Sequence, residues 1–386
     1  MIMKFEFATA TRIIFGSETL KKVAPLASEM GKRAMVVTGQ NAERAEPLLN
    51  LLKSEGMETV TFRVPGEPET EMITKGTERA RKADCDLVIS IGGGSVLDTG
   101  KAIAALLANK GDLTDYLEII GKGKPLLRTP APCIAIPTTS GTGSEVTKNA
   151  VIASPGYRVK VSLRSPLMFP RLAVIDPELT HTMPPGITAS TGLDALTQVT
   201  EAYVSPGANP LTDSLCCEGI RRAARSLRRA YEDGEDAAAR EDMAIVSLLG
   251  GIALANAKLG AVHGFAGPVG GMFPVPHGVV CGRMLPYVMR ANIRALQARA
   301  PGSSALTRYD EIARIFTGKK TAASADGVDR IQELCADMGV PELAEFGLKK
   351  SDFPEVVSKS KNASSMKGNP VQLTDQELTK ILEDAV

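Results

Sequence analysis

Histidine is scarce in this chain, and two of its three copies stand where they could do chemistry. His263 lies in His263-Gly264-Phe265-Ala266 and His277 in Pro276-His277-Gly278, fourteen positions apart in a glycine-rich apolar setting. The third, His181, sits beside Met183-Pro184-Pro185 and reads as a loop residue. Upstream, Gly192-Leu193-Asp194-Ala195-Leu196-Thr197-Gln198 sets Asp194 and Gln198 at i and i+4, on one face of a helix. A carboxylate and two imidazoles are a common mixed donor set for Zn²⁺ or Fe²⁺, and an amide oxygen could add a weaker fourth ligand. Spacing alone does not bring these groups together. Two satisfied structural histidines and a helix-surface aspartate remain the alternative.

The second chemical signal is Ile91-Gly92-Gly93-Gly94-Ser95-Val96-Leu97-Asp98-Thr99-Gly100-Lys101. A buried strand ends, three glycines turn the chain, and a helix begins. Glycines allow close backbone approach to a ligand, and the free amides at a helix N-terminus suit a pyrophosphate. Ser95 is expected to cap this helix, with Asp98 closing a capping-box-like turn. The motif is neither the ordinary Rossmann fingerprint, since Leu97 stands at the third glycine position, nor a Walker A loop, since Gly100-Lys101 runs on into Ala102. A tight strand–helix turn without a ligand is the competing reading. A second loop, Pro137-Thr138-Thr139-Ser140-Gly141-Thr142-Gly143-Ser144-Glu145, follows the strand-like Cys133 to Pro137. Its hydroxyls and amides suit a phosphate or ribose, and ligands of open α/β sheets bind beyond the carboxyl ends of strands. Two such loops favour a ligand site more than one does.

The elements that must position these groups fall into two textures. Strand candidates are Arg33 to Val37, Thr59 to Val64, Asp86 to Ile91, Cys133 to Pro137 and Leu172 to Ile175. They alternate with helical runs at Glu43 to Leu52, Ile73 to Ala83 and Val96 to Ala108, which predicts a parallel Rossmann-like sheet covered on both faces. From about Pro185 the periodicity is helical: Thr188 to Tyr203, Pro210 to Ala230, Ala237 to Ala257, Leu285 to Ala300, Arg308 to Phe316, Ser324 to Met338 and Thr374 to Ala385. The expected division is an α/β domain over residues 1–182 and an all-α domain over residues 183–386.

At 386 residues the chain exceeds one ordinary core. Forty-five basic against 44 acidic side chains leave no electrostatic footprint for nucleic acid or an anionic membrane. The apolar stretch from Ala244 to Phe273 is interrupted by Lys258, His263 and glycines, so it reads as buried helices and loops rather than a membrane span. The start does not read as a signal peptide, and six cysteines without a C-x-x-C pair fit a reducing cytoplasm, each reading best as a small buried apolar residue. A homodimer is the default expectation for assembly.

Taken together, the motifs resemble the iron-containing (group III) alcohol dehydrogenases, in the superfamily that includes dehydroquinate synthase. The resemblance runs nearly end to end, through IGGGSVLDTGK, IPTTSGTGSEVT, VIDPELT, TGLDALT, the His263 segment, Pro276-His277-Gly278 and Lys367-Gly368-Asn369-Pro370. It implies a dehydroquinate synthase-like fold, with a dinucleotide domain, a helical domain and an active site in the cleft between them. The implied cofactor is NAD or NADP, contacted around the glycine turn of Gly92, Gly93 and Gly94 and at Ser95, Asp98, Thr138, Thr139, Thr142, Asn149 and Lys160. The implied metal is Fe²⁺ or Zn²⁺ at Asp194, His263 and His277, which are also the implied catalytic groups, with Gln198 at the remaining ligand position. The implied substrate is a small alcohol or aldehyde. This chain departs from the family pattern at two places, where Gln198 and Gly267 replace histidines. A third position, Gly39, lacks the acidic residue that in many members holds the ribose 2′-hydroxyl of NAD, so NADP should be tolerated. A metal-independent reductase of the maleylacetate reductase type and a dehydroquinate synthase-like lyase are the alternative activities.

Overall fold

The computed structural model describes residues 4–386. The chain forms two compact units: an α/β unit of residues 9–139 and 143–182, and a helical unit of residues 4–8, 140–142 and 183–386.

The α/β unit contains strands β1 (Ile13–Phe15), β2 (Arg33–Thr38), β3 (Glu58–Arg63), β4 (Leu87–Gly92), β5 (Cys133–Pro137), β6 (Asn149–Ser154), β7 (Val159–Arg164) and β8 (Leu172–Ile175). Its helices are α1 (Val23–Ser28), α2 (Glu46–Ser54), α3 (Thr70–Lys82), α4 (Gly94–Ala108) and the single turn α5 (Leu113–Tyr116). Six strands make an all-parallel sheet in the order β1-β8-β5-β4-β2-β3. Every residue of β4 is buried, as in a strand covered on both faces. Alternation along β4 sorts its side chains: Leu87, Ile89 and Ile91 join the apolar layer of α1 and α2, while Val88 joins the layer containing Val96 and Ile103 of α4. From β2 the chain crosses to one side and from β4 to the other, so the turns after β2 and β4 stand at a switch point of the sheet.

Helix α4 lies very close to this sheet. A β carbon at Gly100 would stand 1.7 Å from Ser90 Oγ, so only glycine fits there. The helix starts at Gly94 with Gly93 as its cap residue, and no side chain caps it. This corrects the expectation of a Ser95–Asp98 capping turn. Asp98 instead faces the hairpin β6–β7, accepting hydrogen bonds from Ser144 Oγ (2.5 Å) and Val151 N (2.8 Å) and pairing with Lys101 at 3.0 Å. That antiparallel hairpin was not foreseen, although Val-Lys-Val-Ser-Leu alternates and Pro155-Gly156 marks a turn. Lys101, 1% exposed, donates to Ser144 O, Thr147 Oγ1 and Asn149 O and so ties α4 to the loop that leads into β6.

The helical unit comprises α6 (Pro185–Val204), α7 (Pro210–Glu232), α8 (Ala237–Ala257), α9 (Ala261–Met272), α10 (His277–Arg299), α11 (Ser304–Thr317), α12 (Ser324–Asp337), α13 (Phe353–Asn362) and α14 (Asp375–Ala385). Helix α6 packs against α7, α8 and α10 at the centre of one large apolar core. Helix α10 begins eight residues before the expected Leu285, at His277, because Pro286 does not break it. The carbonyl that Pro286 leaves without its amide partner is that of Gly282, and it accepts Cys335 Sγ at 3.3 Å instead. Among the described residues no single helix is long and apolar enough to cross a membrane; α8 and α9 would be so only as a pair, bent by 100°.

Replacing Lys101 by methionine removes a buried ammonium that donates to Ser144 O, Thr147 Oγ1 and Asn149 O while preserving bulk. It should lower unfolding stability by ~3 kcal/mol. Urea denaturation read by far-ultraviolet circular dichroism checks this, and a change below ~0.5 kcal/mol contradicts the assigned role.

Candidate functional site

In the α/β unit the two Gly/Ser/Thr loops emerge side by side. Gly92 pairs with Pro137 at the ends of β4 and β5, and Thr138 N donates to Gly92 O at 3.0 Å. A β carbon at Gly93 would lie 3.4 Å from Thr139 Cγ2, so any side chain there would occupy the space over the turn. The first bonds of α4 run from Val96 N and Leu97 N to Gly93 O. The amides of Gly94 and Ser95 therefore belong to the set a helix start leaves without intrahelical partners, which is what an anion binds. Gly39 closes the group on the β2 side, with Val96 Cγ2 3.8 Å from the place of its missing β carbon.

The remaining predicted cofactor residues are dispersed around this centre. Asn149 opens β6 opposite Arg164. Lys160 on β7 has a buried side chain that pairs with Glu67 at 3.2 Å. Thr142 belongs with the helical unit, and its carbonyl accepts from Gln198 there. His181 ends a short 3₁₀ turn of the α/β unit, outside both sites.

In the helical unit, Asp194, His263 and His277 meet, and Cys281 joins them: one ligand atom from each lies within 4.8 Å of all the others. Helix α6 makes this possible. Pro185 opens it, its residues are apolar on nearly every side, and so it is buried almost throughout. Against that background Asp194, Gln198 and Glu201 form a polar stripe at i, i+4 and i+7. His263 comes from the first turn of α9, and His277 and Cys281 come from the first two turns of α10. His263 Nε2 is 3.2 Å from Asp194 Oδ1, and His277 Nε2 is 3.7 Å from the same oxygen.

Glu201 orients this cluster. Its Oε2 lies 2.7 Å from His263 Nδ1, and its Oε1 accepts Val262 N at 2.6 Å. One carboxylate thereby fixes the ring, directs Nε2 at Asp194 and holds the positive end of α9. Asn369, from the Lys-Gly-Asn-Pro motif, takes the adjacent amide of Ala261 at 3.1 Å and pairs with Asn292. Gly260 is required here, because a β carbon would stand 2.8 Å from Glu201 Oε1 and 3.0 Å from Asn369 Oδ1.

The electrostatics point to a cation. Burial pushes the Asp194 carboxyl up, but the His277 and His263 rings and Cys281 outweigh it and hold it below its ordinary value. Burial pushes His263 down, but Cys281, Asp194 and Glu201 overcome this and raise it well above the ordinary imidazole value. Burial drives the Cys281 thiol up to about 12, against the pull of His263. Gln198 stands one turn after Asp194 on α6. Its Nε2 donates to Gly141 O and Thr142 O, both at 3.3 Å, and its buried Oε1 has no hydrogen-bond partner and packs where a β carbon of Gly250 would be, 2.9 Å away.

Sequence reasoning passed over Glu201 and Cys281. Glu201 could have been found as a third charged or polar residue on one face of an otherwise apolar helix. Cys281 could have been found four residues after His277, where a helix presents both to the same side. The residues present fit a divalent ion: a buried carboxylate, two imidazoles with one held in a defined orientation, and donor atoms at mutual distances a first coordination shell can span. Substituting Glu201 by glutamine should weaken divalent-ion affinity ~10–100-fold with the trio intact. Competition against a chromogenic chelator measures it, and unchanged affinity would show that Glu201 does not orient a ligand.

Comparison with known proteins identifies the family of the chain. The pattern of the family "Iron-containing alcohol dehydrogenase" matches residues 10–177, and that of "Fe-containing alcohol dehydrogenase family, C-terminal" matches residues 188–386. The 1,3-propanediol dehydrogenase of Citrobacter freundii is 35% identical over 99% of this chain and 98% of its own. The crystal structure of 1,3-propanediol oxidoreductase superposes with a TM-score of 0.91 at 32% identity over the whole of both chains. The sulfoacetaldehyde reductase of Bifidobacterium kashiwanohense, solved in complex with NAD⁺, superposes with a TM-score of 0.87 at 28% identity over 100% of this chain and 99% of that one. The chain belongs to the iron-containing alcohol dehydrogenase family, within the dehydroquinate synthase-like superfamily.

Proposed function

We propose that this protein is a nicotinamide-dependent oxidoreductase acting on CH–OH groups, transferring hydride reversibly between C4 of NAD or NADP and a small alcohol or its aldehyde. The observation that carries the metal-assisted form of this reading is the buried cluster of Asp194, His263 and His277 with donor atoms inside 4.8 Å. Family membership supplies the reaction class, and relatives named for 1,3-propanediol support a small hydroxylated substrate.

The cofactor brings the hydride, while the protein supplies orientation and electrostatics. In the α/β unit the amides of Gly94 and Ser95, beside Thr138 and Thr139, would hold the diphosphate. The turn Thr38-Gly39-Gln40-Asn41 carries no carboxylate, and Asn41 is engaged in accepting Glu43 N at 3.1 Å, so neither NAD nor NADP meets a repelling charge. In the helical unit Asp194, His263 and His277 would hold Fe²⁺ or Zn²⁺. When bound, such an ion supplies positive charge for the oxygen on which negative charge develops. Glu201 keeps His263 in one orientation throughout. His277, the most exposed of the three at 35%, presents the cluster's open side. Gly267 has nothing within 4 Å of its missing β carbon, and that space leaves proton movement to water or the cofactor ribose. The reading extends to a cytoplasmic location, with which six free cysteines are consistent, and to a homodimer as the commonest assembly.

A second reading, a metal-independent reductase, is favoured by Gln198, whose amide nitrogen is occupied by two backbone carbonyls. There the His263 and His277 N–H groups must stabilise the developing charge, a role worth ~3–4 kcal/mol per donor.

Metal analysis of the purified protein with an alcohol and aldehyde panel, using both nicotinamide pairs, separates these readings. The expected result is about one divalent ion per chain, activity lowered at least ~100-fold on chelation and restored by re-addition. A metal-free, chelator-insensitive enzyme would establish the second reading, and absence of turnover would remove both. Grafting Gly267→His should fold normally and shift the pH–rate profile by offering a titrating imidazole. An unaltered profile would count against proton transfer at this position.

A further inference from the structure

We propose that Cys281 is a fourth ligand of the cation held by Asp194, His263 and His277, making a carboxylate–imidazole–imidazole–thiolate site suited to Zn²⁺ over Fe²⁺. The inference rests on the reading of those three residues as metal ligands and adds a residue that the sequence resemblance does not assign.

Four observations support it. Cys281 Sγ lies 3.7 Å from His277 Nε2 and 3.8 Å from His263 Nε2, while Asp194 Oδ1 is 3.2 Å and 3.7 Å from those same nitrogens. A tetrahedral ion with metal–N and metal–O bonds of ~2.0–2.2 Å and a metal–S bond of ~2.3 Å has ligand–ligand edges of ~3.3–3.6 Å. These four of the six edges, 3.2–3.8 Å, bracket those lengths, and the other two, Cys281–Asp194 and His263–His277, lie within 4.8 Å. Second, the thiol is fully buried, and the polar atoms around it are those of the same cluster. Third, α10 places His277 and Cys281 one turn apart, so a rigid helix delivers both donors. Fourth, the position held by Gln198 offers at most a neutral amide oxygen, a weaker donor to a divalent ion than a thiolate. Its nitrogen bonds to Gly141 and Thr142, and its Oε1 packs at Gly250 on α8.

On coordination the Cys281 thiol loses its proton to solvent, and the cation takes the thiolate lone pair. A soft sulfur donor in tetrahedral geometry selects Zn²⁺, whereas carboxylate and imidazole alone also suit Fe²⁺. Four protein ligands fill a tetrahedral shell, so an ion that also serves catalysis here must accept a fifth.

The test uses the full chain, stripped of metal and loaded with Co²⁺, with electronic absorption as the readout. Wild-type protein should bind about one Co²⁺ and show both the visible bands of a tetrahedral ion and a near-ultraviolet thiolate-to-cobalt charge-transfer band. Cys281→Ser and Cys281→Ala should still bind Co²⁺ through the trio but lose the charge-transfer band. Their Zn²⁺ affinity should fall by at least the ~10–100-fold that loss of an outer-shell partner costs. Offered equal Zn²⁺ and Fe²⁺ without oxygen, wild type should retain Zn²⁺, and the variants should show a smaller Zn²⁺ preference, since imidazole and carboxylate alone still favour Zn²⁺ but less than a thiolate does. Circular dichroism verifies that the variants fold. Wild-type Co²⁺ uptake without a charge-transfer band, or the same band in Cys281→Ser, would overturn the assignment of Cys281 alone. No uptake by wild type would overturn the trio as well.

Discussion

A carboxylate that is 2% exposed must find positive charge, and the helical unit is organised around that requirement at Asp194. Removing an ionised carboxylate from water costs several kcal/mol even after relaxation. Here a second buried carboxylate, Glu201, stands one ring away, on the other nitrogen of the same imidazole. Two buried acids sharing one histidine call for a proton on that ring or for a cation beside it. The raised affinity of His263 for its proton and the lowered affinity of Asp194 are the same demand seen from two sides. A divalent ion answers it more fully than a proton does, because it can bind Asp194, His263 and His277 at once.

The surrounding structure holds the donors still. Glu201 and Asn369 satisfy the first amides of α9, which frees that helix to start abruptly after the bend from α8. The bend itself is tight: Lys258 takes a positive φ of 68°, and Gly368 admits the Leu259 carbonyl where a β carbon would stand only 2.0 Å away. The Lys-Gly-Asn-Pro motif is therefore a support for the metal-facing helix, although it lies about a hundred residues from His263 in sequence. In the α/β unit, close approach does the corresponding job. Gly100 lets α4 lie on Ser90, and the turn before α4 is left with glycine and amide surface toward Thr139.

Much of this was legible in the residues. The strands Cys133–Pro137 and Leu172–Ile175 coincide with the expected runs, because strands buried on both faces are continuous apolar segments bounded by turns. The hairpin β6–β7 was missed because half-buried strands carry lysine, serine and arginine that dilute the signal. The start of α10 was misplaced because Pro286 reads locally as a break, whereas the Cys335 thiol, 53 positions beyond Gly282, repairs it. Asp98 illustrates the same limit: its local grammar suggests a cap, but the hairpin and Lys101 offer it stronger partners. At the site, the motifs named Asp194, His263 and His277, yet their convergence depends on helix packing that no spacing encodes. Glu201 and Cys281 act only through that convergence, so neither stood out in one dimension.

The central claim is that Asp194 and its imidazole neighbours form one cation site in the folded chain. Thermal unfolding of wild type and Asp194→Ala, each followed as free Zn²⁺ is raised, tests it most directly. A ligand that binds only the native state stabilises by RT ln(1 + [L]/Kd), ~2.7 kcal/mol at a hundredfold excess over Kd. The account predicts a Tm that climbs with metal concentration in wild type and stays flat in Asp194→Ala. Parallel curves for the two proteins, whether both rising or both flat, would contradict it.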